Sequence, residues 1–403
     1  MQRRDFLRNA GVAAAALASG AALANETAGK HTAAAATPAG TVIDAPPPAF
    51  AAMPPPAPIR ASADRIIAIN VCTRPFRAQG PRIEAERVGR RTVVHNYGHG
   101  GAGWSLSWGS AALAVALAKQ TDEKKIAVIG CGAIGLTTAL VAQRAGLRVR
   151  IYARDRLPDV PSSGATGVWS PDSRICTAAH ATPEFERRWQ AMARTSFRTY
   201  QTLLGLADHP VEWRDGYALR DAPPAPPGSS GSHGGEPDYP RLESKLLSDL
   251  GPRSQPVEPG MHPFRVPHVR RYTQLVFNLG AYSRLLMQDF LDAGGEIETR
   301  EFASLREFSD VREKTIVNAT GFGARALLGD DSLTPVRGQT AKLVPQPEVT
   351  YGLTYIGHNL VVVPRRDGLL VQAQAAGDFG NPDATPDRAA SEAAVARLAN
   401  LFA

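Results

Sequence analysis

The clearest hydrophobic pattern lies in the middle of the chain. Lys125 is followed by the apolar run Ile126, Ala127, Val128, Ile129, which stops at Gly130. A short continuous apolar run bounded by glycine predicts a buried parallel strand. Residues 136–142 are apolar with two threonines and predict a helix that ends near Gly146; in 147–152 apolar and basic residues alternate, predicting the next strand. Residues 110–119 are Ala, Leu and Val on every helical side, the pattern of a buried helix, and 390–402 again reads as a helix. Elsewhere the pattern is broken. Residues 25–63 are rich in Ala, Thr and Pro with no hydrophobic period and read as an extended tether without a fold of its own. Residues 222–237 carry Pro, Gly and Ser and read as a flexible insert between ordered segments.

The first apolar run, 11–24, follows a basic head that includes Arg3, Arg4 and Arg8 and ends in Ala22-Leu23-Ala24. As a helix it would rise only about 21 Å, short for a bilayer, so 1–24 reads as a removable export signal. The paired Arg3-Arg4 followed by Asp5-Phe6-Leu7 resembles a twin-arginine signal, which implies export of a folded passenger to the periplasm or beyond. No later segment is apolar and long enough to span a membrane. The chain of 403 residues, 43% hydrophobic and 21% charged, can bury a sizeable core. Its net charge of +7 is mild and no Lys/Arg block stands out, which leaves a nucleic-acid role without support. The three cysteines, Cys72, Cys131 and Cys176, have neither metal-ligand nor disulfide spacing.

Between the two central strands stands Gly130-Cys131-Gly132-Ala133-Ile134-Gly135. Strand, G-x-G-x-x-G, helix, strand is the dinucleotide fingerprint. Gly130 allows the tight turn, Gly132 lets backbone approach a pyrophosphate, and Gly135 lets helix and strand pack closely, with helix N–H groups facing the phosphates. The acid expected at the end of the second strand, for ribose hydroxyls, is absent: Ala153 stands there, with Arg154 and Asp155 just beyond. The motif alone does not separate NAD from FAD. Cys131 is then a small loop residue with no nucleophilic part.

A second glycine-dense stretch, Gly98-His99-Gly100-Gly101-Ala102-Gly103-Trp104, precedes the 110–119 helix. Such backbone can approach a flat ligand and aim N–H groups at it. Upstream lies Arg74-Pro75-Phe76-Arg77. An Arg at a strand end beside a glycine-lined pocket suits bidentate binding of a carboxylate. His95 and His99 read as loop-shaping hydrogen bonders, because no third metal ligand is spaced near them.

These stretches together resemble the D-amino-acid oxidase family. Arg74 to Arg77, residues 80–87 and 95–103 are similar to that family's C-terminal region. Residues 130–136 and 151–155, Ser162-Ser163 and 167–171 are similar to its N-terminal FAD region, and 317–321 with Arg337-Gly338-Gln339 to its central motifs. The stretch 172–270 matches poorly. The order is unusual, since the family's last block comes first and the chain ends where that block would begin. The reading is a circular permutation within 64–403, made of a family C-terminal block at 64–119, a joining linker at 120–125, and the N-terminal and central blocks at 126–403. The implied fold is α/β, a Rossmann-like FAD domain plus an α+β substrate domain with a large mixed sheet.

The resemblance implies FAD as cofactor and an amino acid with oxygen as partners, leaving oligomeric state open. In the family, hydride passes from the substrate Cα to the flavin, the imino acid hydrolyses, and oxygen is reduced to hydrogen peroxide; positioning carries much of the catalysis. It implies that Arg77 binds the α-carboxylate and that the Gly101 carbonyl accepts from the substrate amine. FAD would be held by Gly130, Gly132, Ala133, Ile134, Gly135, Arg154, Asp155, Ser162, Ser163, Gly167, Val168 and Trp169, with Gly100, Ala102, Gly103, Trp104 and Thr320. One departure is Val361, which stands where the family carries a substrate-binding Tyr, three residues before Pro364; Tyr351 and Tyr355 are candidates to replace it. Arg365 and Arg366 read as an exposed turn. The alternatives are a dehydrogenase on the same fold that uses another electron acceptor, and a flavin- or amino-acid-binding protein without turnover.

Overall fold

The computed structural model describes residues 55–223 and 235–402, all within one compact unit, Pro54–Ala403. The export signal, the first part of the tether and the centre of the 222–237 insert lie outside the described residues.

The strands are β1 (Ile66–Arg77), β2 (Arg82–Val88), β3 (Arg91–Tyr97), β4 (Lys125–Ile129), β5 (Arg148–Ala153), β6 (Val211–Arg220), β7 (Gln255–Pro256), β8 (His268–Phe277), β9 (Glu296–Thr299), β10 (Thr315–Asn318), β11 (Leu333–Leu343), β12 (Tyr351–Tyr355), β13 (Leu360–Arg365) and β14 (Gly368–Ala373). The helices are α1 (Gly103–Ala118), α2 (Ala133–Arg144), α3 (Pro183–Gln201), α4 (Leu242–Leu246), α5 (Leu279–Asp292), α6 (Ala324–Leu328) and α7 (Arg388–Ala399).

Two sheets organise the unit. One has six strands in the order β2-β3-β10-β4-β5-β9; all its pairs are parallel except β2 with β3. The central strands β3, β4 and β10 are buried over 93–97, 126–129 and 315–318 because α1 and α2 cover one face and a cluster around Phe308 and Tyr152 covers the other. The second sheet has eight strands in the order β1-β11-β14-β13-β12-β6-β8-β7, antiparallel except for β12 with β6. The expected pairing of a Rossmann-like layer with a large mixed sheet is met.

The fingerprint forms as the pattern predicts. β4 ends at Ile129 and α2 starts at Ala133. A Cβ on Gly135 would lie 2.0 Å from the Gly130 carbonyl oxygen, so only glycine lets the helix sit this close to the turn. The buried helix expected at 110–119 starts earlier, at Gly103, directly after the histidine-glycine loop. Its apolar surface is buried because α2 and α3 flank it. α3 begins with a Thr182 cap, whose hydroxyl accepts from the Phe185 N–H, and Pro183 in its first turn.

The tether expectation needs correction at its end. Ile59 is 3% exposed and joins a cluster with Tyr351, Leu398 and Leu401. The Arg60 N–H donates to Gln346 Oε1, and Gln346 Nε2 donates back to the Arg60 carbonyl. Residues 55–63 are thus part of the fold, docked by one apolar anchor and a reciprocal amide pair. Ile59→Ala is expected to lower stability by about 2–4 kcal/mol, read as a fall in Tm; an unaltered Tm would return these residues to the tether.

Candidate active site

A cavity of about 980 Å³ runs between the two sheets. Its floor on one side is the fingerprint turn, Gly130, Gly132, Ala133 and Ile134; Arg154 and Asp155 continue it beyond β5, and Ser162, Val168 and Trp169 face it from the following loop. Gly100, Gly101, Gly103 and Trp104 line it at the start of α1, and Thr320 closes that side after β10. The sequence reading therefore brought most of its residues to one place. Five do not line the cavity. Arg77 is taken up below; Gly135 is a packing residue as argued above, Ala102 is buried at the start of α1, Ser163 faces inward, and Gly167 joins the loop to β8 through the Phe277 N–H, which donates to its carbonyl at 2.6 Å.

Arg77, expected to be the carboxylate clamp, is the substantive correction. Its Nε donates to Ser332 Oγ at 2.8 Å and lies 3.8 Å from Asp330 Oδ2, and its Nη1 donates to the Gly80 carbonyl at 2.9 Å. It is not among the cavity-lining residues. Arg74 is. Side chains alternate across a strand, so two residues three apart on β1 leave by opposite faces. Arg74 lies over Gly338, where a Cβ would sit 2.6 Å from Nη2. Its Nη1 donates to the Arg337 carbonyl at 2.8 Å, and no carboxylate comes within salt-bridge distance among the described residues. Burial, helped by the nearby Arg174 charge and opposed by Cys72, Asp378 and Glu236, holds Arg74 below the ordinary arginine range. A buried guanidinium without a counter-ion suits an incoming anion.

The histidine-glycine loop is pinned from both sides. The Gly100 N–H donates to the Pro75 carbonyl and the Gly101 N–H to the Ser173 carbonyl, both at 2.9 Å. Gly100 has φ +55°, and a Cβ there would stand 1.9 Å from the Arg174 carbonyl oxygen. Arg174 itself is held by a bidentate pair with Glu236, at 3.0 and 2.9 Å, and Glu236 also accepts from Gln374 Nε2.

His99 is a loop-shaping residue, as expected, and its proton can be assigned. Thr138 Oγ1 gives its only hydrogen to the Ile134 carbonyl, which can only accept. Asn96 must therefore donate to Thr138 through Nδ2 and present Oδ1 to Ser110, whose hydroxyl donates to it at 2.5 Å. Ser110 then accepts from His99 at 2.7 Å, so His99 carries its hydrogen on Nε2. Burial pushes its pKa down to about 3, keeping the ring neutral. The relay ties the loop to the fingerprint helix. His95 bonds Glu86 and Asn318. No metal-binding cluster occurs among the described residues.

The residues present fit a dinucleotide flavin. The glycine turn leaves backbone open to a pyrophosphate, and the acid missing at Ala153 is replaced by Asp155 and by Glu301 at the end of the neighbouring β9, both on the cavity wall and both joined to Arg154, at 2.7 and 2.9 Å. Cys131 is inert in this turn, its thiol pushed up to about 11 by burial.

Other parts of the cavity were missed by sequence. Val361 does line it, but neither candidate tyrosine replaces the lost hydroxyl: Tyr351 donates to the Ala57 carbonyl and Tyr355 to Asp221. Tyr272, Gln274, Thr354, Gln372 and Gln374 supply polar groups instead, together with Glu243 from α4. Arg365 and Arg366 pair with Asp367 and Glu212 outside the cavity; Arg366 is the exposed turn residue expected, whereas Arg365 ends β13 with its side chain buried.

A fingerprint turn on a parallel sheet, opening to a mixed sheet that carries a buried cation, defines a dinucleotide site joined to a pocket for an anionic substrate. The model of the FAD dependent oxidoreductase family matches residues 125–403, and the chain belongs to that family. A D-amino-acid oxidase from Rubrobacter xylanophilus is 30% identical over 289 residues, covering 68% of this chain and 76% of its own. A D-amino-acid oxidase from Streptomyces coelicolor is 28% identical over 288 residues, 67% of this chain and 76% of its own. Among solved structures, glycine oxidase from Geobacillus kaustophilus aligns with a TM-score of 0.47 at 16% identity, over 69% of this chain and 78% of that one. The protein is an enzyme, and its cofactor is FAD.

Proposed function

We propose that this enzyme oxidises D-amino acids: amino acid, oxygen and water give a 2-oxo acid, ammonia and hydrogen peroxide. The observation that carries this reading is Arg74, a guanidinium without a counter-ion in the wall of the flavin cavity. In this reading Arg74 takes the α-carboxylate in a charge-assisted pair, and the Gly101 carbonyl accepts from the α-amine. With the carboxylate and amine anchored, the place left for the side chain decides whether the Cα–H of the D- or the L-form is presented. FAD supplies the chemistry by accepting the Cα hydride. Gly130, Gly132, Ala133, Ile134, Arg154, Asp155, Ser162, Val168, Trp169 and Thr320 would hold it, with Gly100, Gly103 and Trp104 at the α1 terminus. The names of the two similar oxidases favour the D configuration.

The reading includes export by the twin-arginine route, resting on Arg3-Arg4, and a circular permutation. Two observations support the permutation. The family match begins at Lys125, the first residue of β4, although β1, β2 and β3 precede it and belong to both sheets. The described ends also meet, since Ile59, Leu398 and Leu401 share one cluster, so that a join there would need little chain.

The test is an anaerobic screen of D- and L-amino acids for flavin bleaching, followed by admission of oxygen. Bleaching by D- and not L-forms, with peroxide released on reoxidation, is expected. Bleaching by L-forms would overturn the configuration, and reoxidation by quinones but not by oxygen would make the enzyme a dehydrogenase.

A further inference from the structure

The cavity has a second ionisable group whose partner is missing. Glu243, on the short helix α4, lines it beside Phe197, Trp213, Leu247 and Tyr272. No Lys or Arg lies within salt-bridge distance of its carboxyl among the described residues. The nearest charged neighbour is another acid, Asp172, whose Oδ2 accepts from the Glu243 backbone N–H at 3.0 Å. Burial and then Asp172 push the Glu243 carboxyl up to about 8, against one hydrogen bond from Trp169. A carboxyl in this setting is unfavourable as an anion until a cation meets it. The surrounding wall is aromatic: the Trp169 and Phe197 rings lie 5.5 Å apart edge-on, and Phe197 and Trp213 lie 6.0 Å apart. Such rings cover an aliphatic stem and also attract an ammonium or guanidinium group through their faces. The cavity's other arginines are already paired, Arg174 with Glu236, Arg154 with Asp155 and Glu301, and Arg300 with Asp310, and do not compete.

Resting on the reading of the site as an amino-acid oxidase, we infer that the substrate class is amino acids with a long side chain ending in a cation, and that Glu243 is the residue selecting it. The α-carboxylate then meets Arg74, the aliphatic stem lies along the aromatic wall, and the terminal cation meets Glu243. Once Glu243 is ionised, its carboxylate and Asp172 also disfavour acidic side chains.

The experiment compares the flavin-loaded enzyme on D-lysine and on D-norleucine, which share the stem and differ in the charge, with D-glutamine and D-glutamate beside them. D-lysine is expected to be favoured over D-norleucine by about 10²-fold in kcat/KM, the scale of one well-placed polar group. In Glu243→Gln that ratio should collapse towards one, and Glu243→Asp should restore part of it; flavin content and Tm report on folding. The groups facing Glu243 are Asp172, Trp169 and Tyr272. Because its carboxyl must lose a proton to meet a cation, the D-lysine to D-norleucine ratio should rise with pH through about 8. D-norleucine or D-glutamine used as well as D-lysine, or an unchanged ratio in Glu243→Gln, would overturn the inference. Bleaching by neutral D-amino acids alone would remove this inference and leave the oxidase reading standing; no bleaching by any amino acid would remove both.

Discussion

Arg74→Ala is expected to lower kcat/KM for amino acids by about 10²–10³-fold while FAD remains bound, the loss typical of breaking a buried charge pair with a ligand. The expectation follows from what Arg74 touches. One nitrogen is fixed on the Arg337 carbonyl, the guanidinium lies flat over Gly338, and no acid neutralises it. The bound conformation is therefore already set, and a carboxylate gains charge without ordering a long side chain. The comparison that gives the result meaning is Arg77→Ala. Arg77 spends its donors on Ser332 and the Gly80 carbonyl beside Asp330. Its loss should show mainly as about 1–3 kcal/mol of stability, with KM little altered. Steady-state kinetics with a visible flavin spectrum measure both; a strong KM effect from Arg77 with none from Arg74 would reverse the assignment.

Gly100→Ala is expected to lose at least 10²-fold in activity, the scale of an ångström's misplacement near reacting groups, and to load flavin poorly. The backbone at Gly100 is left-handed, and the added Cβ would occupy the Arg174 carbonyl oxygen at 1.9 Å. Arg174 cannot yield easily, because Glu236 grips its guanidinium bidentately and Gln374 braces Glu236. The loop must move instead, taking with it Gly101, His99 and the first turn of α1, all in the cavity wall or its hydrogen-bond relay. Flavin absorbance per chain and turnover are the readouts. A Gly100→Ala enzyme with full flavin and near-normal turnover would show that the loop has slack the contacts deny.

The dinucleotide half of the site was legible because its chemistry is local. Strand, glycine turn and helix are consecutive in 125–144, and each glycine has a backbone reason that needs no distant partner. The substrate half was legible only in part. Arg74 and Arg77 stand in one motif, and strand parity puts residues three apart on opposite faces, but only the fold shows that Arg74 is the one facing the cavity. Glu236 and Glu243 had no readable signal. They sit in the poorly matching 172–270 stretch, next to a Pro- and Gly-rich segment that reads as an insert, and only tertiary folding brings them to Arg174 and the cavity. The same holds for Glu301, which supplies a carboxylate beside β5 only because β9 pairs in register with it. Residues 55–63 read as tether because one isoleucine among prolines makes no period, yet Ile59 is a buried anchor.

The pairing of β1 with β11 and of β3 with β10 sets the timetable of synthesis. The first strands to leave the ribosome carry Arg74 and lead into the histidine-glycine loop, and their partners follow some 220–280 positions later. At about 5–20 residues per second this is a wait of roughly 10–50 s, during which β1 and β3 have open edges. The six-stranded sheet cannot be completed before residue 318 has emerged, nor the eight-stranded one before residue 373, so the fold is completed near the end of translation. The nascent chain must therefore be shielded from aggregation throughout that interval, and slower translation late in the chain would lengthen the exposure of its oldest strands.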